Sequence, residues 1–160
     1  MKIEEVLNES FDRAANWKLK QNKGDSMVYE FKEDKTKYAV VFHRNTRIGN
    51  SKTGYLVDGD LWSGYIEKRS RRKDTEKSPN VRLMIATLRE ILSDFLDKTF
   101  PFNLDFRISI DQENIGGAQS LIQKAFRIIH IDYELDSVDH GMNVGGSTQD
   151  YNLVIRRKDL

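Results

Sequence analysis

The chain has 160 residues, a length that fits one domain of roughly 100–200 residues and allows an ordinary hydrophobic core. Hydrophobic residues make up 38% and charged ones 32%, with two Trp, eight Phe and six Tyr, which excludes both a disordered chain and a bundle of membrane spans. Lys and Arg number 26 against 25 Asp and Glu, so the basic excess that drives most nucleic-acid binding is missing and no nucleic-acid partner is expected. The absence of cysteine removes disulfides, thiolate metal sites and cysteine nucleophiles together. No apolar run approaches the roughly 18 residues of a spanning helix, and Glu4 and Glu5 fall where a secretory signal needs its apolar stretch. A cytoplasmic protein without membrane contact is expected.

In chain order, Ile3, Val6, Leu7, Phe11, Ala14 and Ala15 recur at helical spacing and predict an amphipathic helix over about 3–16. Asn22-Lys23-Gly24-Asp25 signals a turn. Met27–Phe31 and Tyr38–His43, separated by Glu33-Asp34-Lys35, predict an antiparallel hairpin. Tyr55–Val57 and Leu61–Ile66 are candidate third and fourth strands. Glu67–Ser78, EKRSRRKDTEKS, has no apolar residue and predicts an exposed charged connector reaching residue 79.

Asn80 can cap a helix whose apolar face, Val81, Met84, Ile85, Leu88, Leu92, Phe95 and Leu96, persists to about Lys98, and Pro101 stops it. Leu104, Phe106, Ile108 and Ile110 alternate with polar residues as a half-buried strand does. Asp111 or Asn114 can cap a further helix carrying Ala118, Leu121, Ile122, Ala125 and Ile129. Ile131–Leu135 reads as a strand, followed by a polar loop with Gly141, Gly145 and Gly146, and Tyr151–Ile155 as a last strand. The order predicts a single α+β domain over 1–160, a mixed or mainly antiparallel sheet with packed helices.

The basic run Lys68, Arg69, Arg71, Arg72, Lys73 is the most conspicuous local feature. Its plain reading is a solvated connector, diluted by Glu67, Asp74 and Glu76. Its functional reading is a contact for a protein partner, together with Met142 and Val144 in the segment GMNVGGS. His43, His130 and His140 share no metal-ligand spacing, and each has a structural role at hand. Asp139-His140 is the one adjacent acid–imidazole pair, though a loop histidine is the plainer account. Nucleophile-elbow, zinc-protease and phosphate-loop motifs are absent, so no catalytic, metal or cofactor residue is assigned.

Two resemblances follow. Val81–Phe126, with ISIDQENIGGAQSLIQKAF, resembles the second half of the Gcn5-related acetyltransferase fold, with Asn114 and Ala118 where that family's helix begins. The resemblance implies an acyl-coenzyme A site. The family's glycine-rich pyrophosphate loop, however, is replaced here by DTEKSPNVRL, which has no glycine. The leader MKIEEVLNES and the paired N-terminal strands are similar to those of small accessory proteins of T-even-like tailed bacteriophages, and Leu7-Asn8-Glu9 resembles a cleavage site of head-targeting leaders.

The resulting expectation is a non-enzymatic, phage-encoded protein without cofactor that inhibits a host protein such as an ATP-dependent protease. An acyl-coenzyme A-dependent transferase and an internal head protein with a detachable N-terminal helix are the alternatives, and homo-oligomerisation stays open.

Overall fold

The computed structural model describes residues 14–33, 35–45, 61–69, 81–111, 118–140 and 148–158. Seven strands and two helices follow in the order β1 (Trp17–Asn22), β2 (Ser26–Glu33), β3 (Thr36–Arg44), β4 (Leu61–Lys68), α1 (Val81–Thr99), β5 (Asn103–Asp111), α2 (Ala118–Phe126), β6 (Tyr133–His140) and β7 (Thr148–Arg157). They form an α+β fold around one mixed sheet of spatial order β1-β2-β3-β4-β5-β7-β6. Every neighbouring pair is antiparallel except β4 and β5, which are parallel. A parallel pair needs a long crossover, and the connection between β4 and β5 carries α1.

Strand alternation gives the sheet two unlike faces. On one, Met27, Tyr29, Val40, Phe42, Trp62, Leu104, Phe106, Leu153 and Ile155 share a single buried cluster with α1 and α2. Its centre is aromatic: the rings of Phe42 and Phe95 stack at 3.9 Å, and Trp62 meets Phe95 edge-on at 5.2 Å. Gly64 lies between these rings, because a Cβ there would come within 2.8 Å of both Phe42 and Phe106. Burial brings polar groups with it; the Trp62 indole N–H finds no acceptor among the described residues, whereas others are satisfied. Tyr29 donates to Asp94 at 2.7 Å, and the buried Thr87 hydroxyl donates to Leu83 O and accepts from Ala15 N.

The hairpin of β2 and β3 and the strands β4, β5 and β7 stand where periodicity places them, with longer ends. Four expectations change. Strand β1 was not expected; it alternates only over Trp17–Lys20, with Trp17 and Leu19 against the core, and is an edge strand paired with β2. Glu67 and Lys68 extend β4 rather than open a connector, since they pair with Ala39 and Tyr38, Glu67 on the open face and Lys68 exposed at the strand's end. Helix α2 stops at Phe126, and Ile129 reaches the core from the following turn. Strand β6 continues to His140 through Asp136 and Asp139, charges that suit an unpaired sheet edge. Of the expected N-terminal helix only Ala14–Asn16 are described, and they are not helical. The candidate strand Tyr55–Val57, the Asn80 and Asn114 caps and the Gly141–Ser147 loop lie outside the described residues.

Candidate functional site

Among the described residues the sheet forks at the parallel junction of β4 and β5. Backbone pairing between β4 and β5 runs from Leu61–Asn103 to Tyr65–Arg107 and ends there. Beyond it, Ile66–Lys68 stays on β3 and Ile108–Asp111 stays on β7. Successive residues of a strand point their N–H and C=O to opposite sides, so each diverging strand turns part of its backbone hydrogen-bonding capacity toward the fork. Ile66, Ile108 and Ile110 lie on the helix side, the last two buried in the core, while Glu67 and Ser109 lie on the other. Phe95, near the C-terminal end of α1, packs on Trp62 at the start of β4, so α1 runs back along β4 and begins at the forked end.

Among the described residues no helix covers the face opposite the core, which is mostly polar apart from Val28, Ala39 and Val41. One row across it reads Val28, Val41, Tyr65, Arg107, Asn152, Asp139. The Arg107 guanidinium lies 6.0 Å from the Tyr65 ring centre, directly before the fork. Beside it Ser109 donates to Asp150 at 2.5 Å. His43, exposed at the end of β3, has its ring 6.1 Å from that of Tyr65.

A second constellation surrounds Glu30, whose side chain is only 10% exposed. Lys20 Nζ, Lys37 Nζ and Arg69 Nη1 approach its carboxylate at 3.7, 3.6 and 3.7 Å. A β-bulge between Leu19 and Gln21 leaves Lys20 outside the ladder and lets it reach Glu30. Lys18 stands directly opposite Glu30. Neighbouring Lys20 holds Lys18 below the ordinary lysine value, first through the hydrogen bond between the two amines and then through its charge; Glu30 opposes the shift and Lys37 adds to it.

Of the residues singled out from sequence, Arg69 is described. It closes β4 with its backbone N bonded to Lys37 O at 2.8 Å and its Nε bonded to Glu67 at 2.9 Å. It is therefore part of a folded ion-pair network and not of a loose basic run. Arg71, Arg72, Lys73, Met142 and Val144 lie outside the described residues. The histidines are not brought together: His130 Nε2 meets Asp97 at 2.5 Å below α1, and His140 ends β6 opposite Tyr151. No group of three or more His, Asp or Glu among the described residues is arranged to hold a metal ion.

An open groove of about 540 Å³ lies beside the turn after α2, where Ile128 and Ile131 are 56% and 83% exposed. Arg127, His130 and Lys158 stand beside these isoleucines in its lining. Neither the fork nor the Glu30 cluster was read from the sequence. Lys18, Lys20, Lys32 and Lys37 come from three strands whose order only folding establishes, and a break in pairing leaves no residue signature. The described helices include none long and apolar enough to cross a membrane. The chain matches no protein-family model, no curated protein and no solved structure.

Proposed function

We propose that the protein acts by binding, and that it seats an extended segment of a partner protein in the fork between β4 and β5. The fork carries this reading. Two strands that diverge at the middle of a sheet turn backbone donors and acceptors toward each other, and an inserted chain with its own amides satisfies both at once, as in strand addition. Tyr65, Arg107 and Ser109 supply a polar rim on the open side, and Ile66 is the partly exposed apolar residue beside it. The partner in this reading is a host protein, an ATP-dependent protease being the kind that the phage resemblance implies, and the effect is stoichiometric.

A second reading is favoured by a separate observation. Helix α1, strand β5 and helix α2 follow in the order of the acetyltransferase-like unit, and α1 begins at the forked end. The amide-bearing arm of an acyl-coenzyme A is also an extended chain, and a helix N-terminus favours phosphate. Against this reading, DTEKSPNVRL lacks the glycines that let backbone approach a pyrophosphate.

One pair of measurements separates the two. Calorimetric titration with acetyl-coenzyme A is expected to show affinity no tighter than about millimolar, near −4 kcal/mol. Micromolar binding transfers the fork to the second reading. The chain has no cysteine, so Ser109→Cys can be labelled there alone with a bulky maleimide. The label is expected to weaken the protein partner recovered from host extracts at least tenfold, without lowering the thermal midpoint. Unchanged partner binding by the labelled protein removes the fork as the site.

A further inference from the structure

The Glu30 cluster concentrates charge in a chain that is otherwise nearly neutral. Five cations, Lys18, Lys20, Lys32, Lys37 and Arg69, lie on the open face across β1–β4, against the two carboxylates Glu30 and Glu67. That is a local excess of three positive charges where the whole chain carries +1. Lys32 and Lys37 are paired directly across β2 and β3, an arrangement of like charges that destabilises a sheet. Glu30 is central to the group but does not saturate it. The three cations nearest its carboxylate stand 3.6–3.7 Å away, beyond hydrogen-bond length, and one carboxylate oxygen is buried without a hydrogen-bond partner. Each lysine head carries three donors, and those of Lys20 and Lys37 remain more than two-fifths exposed.

We propose that these cations form a site for a small phosphorylated ligand, with the ammonium groups of Lys18, Lys20, Lys32 and Lys37 converging on a phosphate dianion or a pyrophosphate. Glu30 is the buried counter-charge beside which Lys20 of β1 and Lys37 of β3 meet. Charge selects the ligand class. A single carboxylate offsets only part of an excess of three, whereas a phosphate dianion or pyrophosphate offsets most of it. Extent limits its size. The cluster spans four strands, about 14 Å at the usual spacing. Beyond it carboxylates outnumber cations on the open face, with Asp105 on β5, Asp150 on β7 and Glu134 and Asp139 on β6 against Arg107 and Arg156. A nucleic-acid backbone crossing the sheet would leave the lysines and meet carboxylates.

The site is independent of the fork reading, and its test does not involve the fork. Inorganic pyrophosphate is titrated into the protein at low ionic strength, with calorimetry and backbone amide shifts as readouts. Binding in the sub-millimolar range is expected, with the largest shifts at Lys18–Lys20, Lys32 and Lys37, and several-fold weakening at physiological salt as screening sets in. The double variant Lys18→Ser, Lys32→Ser removes two cations that make no ion pair with Glu30, so the fold keeps its network. It is expected to bind pyrophosphate about tenfold more weakly with an unchanged or raised thermal midpoint, relief of repulsion being a surface effect. Glu30→Gln is expected to bind several-fold more tightly, because the competing carboxylate is gone. Lys124→Ser with Arg127→Ser makes the same charge change on α2 and the turn after it, and should leave affinity unaltered. An equal loss in that control, weaker binding by a folded Glu30→Gln protein, or a duplex oligonucleotide that outcompetes pyrophosphate at equal phosphate concentration would each overturn the assignment.

Discussion

The helix-covered face of the sheet and its open face are made from the same strands, residue by alternate residue, yet they obey different rules. On the covered face Met27, Tyr29, Phe42, Phe106 and Leu153 have almost no contact with water, and their rings are close enough that position 64 admits only glycine. On the open face Lys18, Lys37, Tyr65, Arg107 and Asn152 are partly or wholly solvated, and charge decides what lies beside what. Close packing makes the first face intolerant of change, since interiors are as dense as organic crystals. The second face tolerates substitution because water screens and solvates it. The contacts proposed above accordingly fall on the open face and at the fork.

That contrast can be tested from its strongest point. Phe95→Ala should be the most damaging single change, costing about 3–5 kcal/mol, because it removes the ring that stacks on Phe42 and supports Trp62. Urea unfolding measures it, and a loss below about 1 kcal/mol would mean that the two faces are not packed differently. Gly64→Ala probes the same core by overfilling it. One added methyl meets Phe42 and Phe106 at 2.8 Å, and the expected cost is about 1–3 kcal/mol in the same measurement.

The smallest effect is a dependence on alkaline pH that arises on the covered face. Burial, together with the hydrogen bond to Asp94, raises Tyr29 far above its ordinary value of 10.0, and burial raises Tyr133 and Tyr151 in the same direction. Above pH 10 the unfolded chain releases these protons and the folded one keeps them. The unfolded state then binds fewer protons, and stability falls as pH rises. Denaturation midpoints between pH 8 and 11 should therefore decline, and Tyr29→Phe should flatten the decline. An unaltered slope in that variant would show that the Tyr29 hydroxyl ionises as freely folded as unfolded.

Both helices and the strands β2, β3, β4, β5 and β7 were legible in the amino-acid sequence, because burial on one face imposes a period that survives in a single chain. Leu104, Phe106, Ile108 and Ile110 on β5 and the apolar stripe of α1 are of this kind. The expectation of a mixed or mainly antiparallel sheet with packed helices followed from the same periods. What they left unread was the neighbourhood of each strand. Lys18 and Lys37 are nineteen positions apart, and only the pairing of β1 with β2 and of β2 with β3 brings them to one carboxylate. The place where β4 and β5 part company is likewise a property of two strands and their other partners. Hydrophobic period is a local consequence of burial and can be read along the chain, whereas charge clusters and backbone openings arise between segments and exist only once the sheet has set its order.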